Sequence, residues 1–281
     1  MRAYTLGLYE KAMPSGLSWK EKLTEAKQAG FDFVEISIDE TDAKLARLDM
    51  TAHERAELVR TMAEVGLPIR SMCLSGHRKY PLGHPDFEVR RRSMEIMEKA
   101  ILLADDLGVR IIQLAGYDVY YEEGTAETRR LFAENLRRAA LLAARHGVLM
   151  GFETMETPFM NTVEKAMRYV REVDSAYLGV YPDLGNITNA AHVYGTDVLE
   201  DIRSGHGHLH AMHLKETVDG VYREVPFGTG HVDFERGIRT AWECGVRRFV
   251  TEFWYVGAED WRADLIQACS MMRAILDRQD A

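Results

Sequence analysis

"RIIQLAGYDVYYEEGTAETRRLFAENLRRAALLAARHGVLMGFETM", residues 110–155, holds two short apolar runs on either side of a long amphipathic stretch. The runs "RIIQLAGY" (110–117) and "VLMGFETM" (148–155) have strand length and are bounded by glycine or charge. Between them, "ETRRLFAENLRRAALLAARHG" carries a helical apolar stripe that stops at Gly147. Outward from this strand–helix–strand unit the same alternation continues to both ends of the chain. Further strands are predicted at "YTLGLYE" (4–10), "FDFVEISI" (31–38), "PIRSMCLSG" (68–76), "LGVYPDLGN" (178–186), "LHAMHLKE" (209–216) and "RRFVTEFW" (247–254).

The helical patterns between them have recognisable ends. Ser18 and Glu21 predict a capping box for a helix that stops at Gly30. "DFEVRRRSMEIMEKAILLADDLG" places Met94, Met97, Ile101 and Leu102 on one face and ends at Gly108. "DFERGIRTAWECG" and "EDWRADLIQACSMMRAILDR" complete the series. Eight strands, each followed by a helix and with no Ser/Gly-rich linker, predict one (β/α)8 TIM barrel spanning residues 1–281. An open doubly wound sheet is the competitor, and the GxGxxG turn that marks one is absent after the first strand.

Composition narrows the function. The 281 residues are 46% hydrophobic and 28% charged, as in ordinary globular proteins. A formal net charge of -9 argues against a nucleic-acid partner, because phosphate-backbone binding needs a basic surface. Cys73, Cys244 and Cys269 lack CxxC spacing, which fits a reducing compartment and gives no zinc-thiolate site. No secretory signal or membrane-length apolar run is visible, so a cytoplasmic protein with no membrane partner is expected.

Chemistry in such a barrel belongs to the C-terminal ends of the strands. Strands five to eight end in Glu153 ("GFETM"), Asp183 ("VYPDLGN"), His213 ("AMHLKE") and Glu252 ("VTEFW"). Any one of them could serve in an ion pair or a turn. Four in succession, three of them carboxylates, would repel strongly without a cation and so predict a metal site. Oxygen-rich donors with one imidazole favour Mn2+, with Zn2+, Co2+ or Mg2+ as alternatives. The neighbouring histidines are expected to be bystanders. By strand alternation His213 should share a face with Ala211 and Leu209, His208 and His210 should point to the helical layer, and His206 should lie in a turn.

Along these stretches the chain resembles the L-ribulose-5-phosphate 3-epimerase family (also called L-xylulose-5-phosphate 3-epimerases) of the xylose-isomerase-like barrels. The likeness runs through "LGLYEKAMP", "GFDFVEISIDETD", "SMCLSGHRKYPLG", "IQLAGYDVYY", "VYPDLGN", "HLKET" and "VPFGTGHVDFER". It implies a metal held by Glu153, Asp183, His213 and Glu252, with Glu153 and Glu252 as the acid/base pair. It also implies a ketopentose phosphate substrate and a homodimer. One departure is the stretch "ITNAAHVYGTDVLEDI" after "YPDLGN", which looks like a lengthened loop.

For the phosphate end, the candidates are His77, Arg78 and Lys79 after strand three, Lys215 beyond the ligand histidine, Asn186, and the backbone amides at Gly228 and Gly230. Glu10, Lys11, Glu35 and Ser37 are further mouth residues that could order hydroxyls or water. Rival readings keep the metal but isomerise an aldose, epimerise an unphosphorylated ketose, or cleave nucleic acid. A non-catalytic sugar-phosphate-binding module would leave the paired glutamates without a purpose.

Overall fold

The computed structural model describes residues 2–280, so Met1 and Ala281 of the expected 1–281 unit lie outside the described residues. Eight parallel strands run β1 (Thr5–Tyr9), β2 (Phe33–Ile38), β3 (Ile69–Leu74), β4 (Ile111–Ala115), β5 (Leu149–Glu153), β6 (Leu178–Val180), β7 (Met212–Leu214) and β8 (Arg248–Thr251). Each regular ladder joins neighbours in chain order, and β8 returns to β1. Two parallel bridges, Val180↔Leu209 and Asp183↔His213, join the β6 and β7 segments and close the ring.

The helical layer comprises α1 (Trp19–Gln28), α2 (Asp42–Leu45), α3 (Ala52–Val65), α4 (Phe87–Leu107), α5 (Ala126–His146), α6 (Val163–Val173), α7 (Leu184–Tyr194), α8 (Val198–Ser204), α9 (Phe234–Glu243) and α10 (Trp261–Gln279). Ser18 and Glu21 form the expected capping box on α1. Gly108 and Gly147 end α4 and α5 in the left-handed conformation that favours glycine. No helix among the described residues is long and apolar enough to cross a membrane.

Strand periodicity divides the core in two. Leu6, Leu8, Ile36, Met72, Ile112, Met150, Phe152 and Phe249 pack outward against the helices. Tyr9, Phe33, Cys73, Ile111, Tyr181, Ala211 and Val250 fill the barrel axis. Glycines on one strand admit the rings of the next: a Cβ on Gly7 would lie 2.3 Å from the Phe33 ring, and one on Gly151 would lie 2.9 Å from Tyr181 Cβ. Trp261 is buried in the outer core and Trp242 packs against it, so both tryptophans are used within the chain.

Several local expectations are corrected. Leu102 is exposed, because one step beyond Ile101 turns it about 100° away from the buried face. "ITNAAHVYGTDVLEDI" is no loop but most of α7 and α8. The sixth strand stops at Val180, and Asp183 caps α7 instead of extending the strand.

Between the two closing bridges the β6 side advances three residues and the β7 side four (180 to 183 against 209 to 213). This extra residue is a bulge, and it breaks strict alternation. Leu209 therefore joins the outer core, while His210 turns inward toward Gly179 and Ala211 lines the axis. His206 and His208 are exposed.

Glu10 is a structural residue rather than a mouth residue. Fully buried just after β1, it accepts the Ser37 N–H at 3.0 Å and Arg47 Nη1 at 2.6 Å, with Lys44 also in contact and Lys22 Nζ 3.5 Å away. Burial would raise its pKa, but Arg47 and Lys44 outweigh this and bring it down to about 2. The depression from 4.5 to about 2 corresponds to roughly 3 kcal/mol of stability. Because the folded pKa is lowered, that stability is present above about pH 4.5 and is lost as pH falls toward 2. Replacing Glu10 with Gln should cost about 3–5 kcal/mol in urea unfolding at neutral pH, since buried Lys22 and the partly buried Lys44 and Arg47 lose their anion. It should also flatten the acid limb of stability against pH; an unchanged limb would show that Glu10 is not its source.

Candidate metal centre and cleft

Inward parity delivers the chemistry. Glu153 ends β5, His213 sits in β7 opposite Val250, and Glu252 follows β8, its N–H donating to Leu214 O at 2.9 Å. Asp183 reaches the same level through its bridge to His213. Donor atoms of Glu153, Asp183, His213 and Glu252 all lie within 4.8 Å of one another, and all four residues are buried.

Asp183 and His213 are locked from behind. The Asp183 backbone N–H donates to Thr154 Oγ1 at 3.0 Å, and Asp183 Oδ1 accepts the Asn186 N–H at 2.6 Å. Asn186 Nδ2 donates to Thr154 O at 2.7 Å, tying the start of α7 to the end of β5. His213 directs Nε2 to Glu35 Oε1 at 2.5 Å, and Tyr181 donates its hydroxyl to Glu35 Oε2 at 3.0 Å. His213 Nδ1 therefore faces the carboxylates, 3.2 Å from Glu252, 3.7 Å from Glu153 and 3.9 Å from Asp183. A carboxylate behind an imidazole fixes the ring and raises its basicity. Glu35 was expected at the mouth; its place in the wholly buried "FVEISI" is the signal that it sits deeper.

The electrostatics follow from burial and crowding. Burial, and then Glu252, pushes Glu153 above the usual carboxylate range. Burial likewise raises Asp183 to about 8, although Lys215 opposes the shift. Burial would raise Glu252 as well, but Lys215 and His213 outweigh it and hold this carboxylate well below its usual range. For His213, burial is outweighed by Glu35 and Glu252, which keep the imidazole well above the histidine range. Lys215 Nζ stands 3.4 Å from Asp183 Oδ2 and 3.3 Å from Glu252 Oε2. Those two buried oxygens nevertheless accept no hydrogen bond. Two unsatisfied buried carboxylate oxygens beside an imidazole nitrogen are a donor set that fits a divalent cation.

A cleft of about 500 Å3 opens over this group, lined by Tyr9, Lys11, Arg78, Glu153, Glu156, Asn186, Lys215, Tyr222, Arg223, Glu252 and Trp254 among others. Of the residues expected near phosphate, Arg78, Asn186 and Lys215 are here. Asn186 and Lys215 are engaged with the carboxylate group itself. His77 is buried elsewhere, its Nε2 3.2 Å from Ser93 O of α4 and its pKa lowered to about 4 by burial. Lys79 is half exposed and faces Asp42 at 3.9 Å. The Gly228 N–H donates to Glu216 Oε2 at 3.0 Å, and a Cβ on Gly230 would lie 2.4 Å from Glu216 Oε1, so a carboxylate already fills that loop.

Lys11 lines the cleft while paired with Asp39 at 2.5 Å, and Ser37 bonds the Tyr9 hydroxyl at 3.1 Å. Sequence reasoning missed Tyr9, Glu156, Tyr222, Arg223 and Trp254. Only "GYDVYY", whose Tyr117 and Tyr120 donate to Glu156 at 2.9 and 3.1 Å, hinted at this wall.

The xylose isomerase-like TIM barrel family matches residues 23–275. The chain is 44% identical to the L-ribulose-5-phosphate 3-epimerase UlaE of Shigella flexneri over 96% of its own length and 94% of the relative's. The D-psicose 3-epimerase of Clostridium cellulolyticum H10, solved with D-tagatose, superposes with a TM-score of 0.81 at 18% identity, covering 97% of this chain and 99% of that one. A magnesium-bound xylose isomerase-like TIM barrel protein of Mycobacterium smegmatis gives a TM-score of 0.73 at 18% identity and covers 100% of both chains. The chain belongs to the xylose isomerase-like TIM barrel family and, within it, to the L-ribulose-5-phosphate 3-epimerases.

Proposed function

We propose that the protein interconverts L-ribulose 5-phosphate and L-xylulose 5-phosphate by inverting C3, using a divalent cation held by Glu153, Asp183, His213 and Glu252. The observation that carries the reading is the pair of buried glutamates, at the end of β5 and just after β8, facing one cleft across the same donor group. Inversion needs one group to remove the C3 proton and another to return a proton to the opposite face. The two environments suit that division, because burial favours the protonated form of Glu153 while Lys215 and His213 favour the anion of Glu252. Roles exchange with the direction of reaction.

When bound, a cation polarises the C2 carbonyl and so acidifies the C3 proton. The chain's own groups do the rest. Glu35 aims His213, the Thr154–Asn186 lock holds Asp183, and Tyr9 and Trp254 line the cleft with aromatic surface. Lys11, Arg78 and Arg223 line the cleft and are the cations available to the substrate phosphate. The oxygen-rich donor set favours Mn2+ over Zn2+, Co2+ or Mg2+. Unpaired Cys73, Cys244 and Cys269 fit the cytoplasm, and a homodimer is assigned on family likeness alone.

Proton NMR in heavy water tests the reaction. Incubation of L-ribulose 5-phosphate with Mn2+-reconstituted protein, followed by removal of the ion before the spectra, should give deuterium at C3 and L-xylulose 5-phosphate. Replacing either Glu153 or Glu252 with Gln should slow both by at least about 10²–10⁴-fold. Exchange at C1 with an aldose product would replace epimerisation by isomerisation; no exchange at either carbon would reject this substrate. Glu35→Gln is expected to weaken cation binding by roughly 10–100-fold, because His213 loses the carboxylate that orients it. Calorimetric titration of the chelator-stripped protein checks this, and unchanged affinity would remove Glu35 from that role.

A further inference from the structure

A second group of metal-binding side chains lies outside the cleft, where the loop after β7 packs on α7. His192 stands in the last turn of α7. Asp219 sits at the tip of a tight turn closed by the Val218↔Val221 bridge, with Gly220 at φ +71°. His231 lies on the returning arm of the same loop. Asn189 Nδ2 of α7 donates to Val221 O at 3.3 Å, so the turn is already docked on the helix.

The hydrogen bonds decide where the protons are. Thr217 donates its only hydroxyl proton to Gly185 O at 3.2 Å, so its oxygen accepts from His231 Nε2 at 3.1 Å. With Nε2 carrying the proton, neutral His231 turns a bare Nδ1 lone pair toward Asp219 Oδ1, 3.8 Å away. His192 Nδ1 approaches the same oxygen at 2.6 Å, and the two imidazole centroids are 4.6 Å apart. Donor atoms of all three residues fall within 4.8 Å of one another. Asp219 Oδ1 thus accepts the His192 Nδ1–H while the bare His231 Nδ1 faces the same oxygen, and a divalent cation that displaces the His192 proton would join all three donors. Solvent on the open side can complete its coordination, since His192 and Asp219 are exposed.

We propose that His192, Asp219 and His231 form a second divalent-metal site, selective for a borderline transition ion such as Zn2+, that staples the loop after β7 to α7. Two imidazoles and one carboxylate suit Zn2+, Ni2+ or Co2+, whereas Mg2+ and Ca2+ prefer all-oxygen shells. The stapled loop carries Tyr222 and Arg223 to the cleft, while Asp183 caps the start of α7. The ion therefore ties two walls of the active site together without entering it.

The test is bound zinc counted after equilibrium dialysis of untagged, chelator-stripped protein against micromolar Zn2+. The parent should hold one more ion per chain than the His192→Ala/His231→Ala variant. The same difference should appear in a Glu153→Gln/Glu252→Gln background, which separates this site from the one in the cleft. His192→Ala alone, a change at an exposed helix position, should also lose the ion, so a folding defect in the double variant would not decide the matter. Zinc should slow amide exchange in residues 217–231 of the parent and leave the variants unaffected. Equal zinc in parent and variants, or equal binding of Mg2+ and Zn2+ at this site, would overturn the proposal.

Discussion

Three buried carboxylates share one pocket at the mouth of the barrel, and their mutual repulsion is the constraint around which the molecule is arranged. Buried like charges within 4.8 Å are costly unless a counter-charge stands among them. His213 and Lys215 supply part of it, both drawn well above their ordinary pKa, His213 chiefly by Glu35 and then Glu252, and Lys215 by Asp183, Glu252 and Glu153. Rigid neighbours stop the group from relaxing apart. Parity along β5 and β7 points Glu153 and His213 inward, the α7 cap fixes Asp183, and the bond to Leu214 O fixes the backbone at Glu252.

Glu10 shows what the same chemistry looks like when it is only structural. It too is a buried carboxylate at a strand end, but each of its oxygens meets cations and one also accepts a backbone N–H. Nothing is left over for a ligand. At the centre, Asp183 Oδ2 and Glu252 Oε2 remain without hydrogen bonds. Satisfaction of the oxygens, rather than burial or position, separates an acid that holds the fold together from one that keeps a free coordination position.

That distinction also marks how far the sequence could be read. The strand–helix alternation and the inward residues near the ends of β5, β7 and β8 follow from local periodicity, which a chain displays directly. Glu35 and Glu10 look alike in sequence, because their partners come from β7 in one case and from α1 and the segments after β2 in the other. His77 and the Gly228–Gly230 loop looked like anion sites for the same reason: Ser93 and Glu216, which occupy them, are remote or unremarkable in sequence. The bulge before β7 was invisible because register belongs to a pair of strands. It alone reversed the expected orientations of Leu209 and His210.

The closure between β6 and β7 gives the barrel a built-in asymmetry. The other joints are ladders between named strands, one of them shifted in register at Val34/Glu35, whereas this one is only two bridges separated by the bulge. It is the clasp of the ring, and the bridge on its open side is formed by Asp183 and His213 themselves. Any occupant gripping both residues fastens the clasp as it binds. By linkage, occupancy and closure are one equilibrium, so tightening the ring favours retention and loosening it favours release.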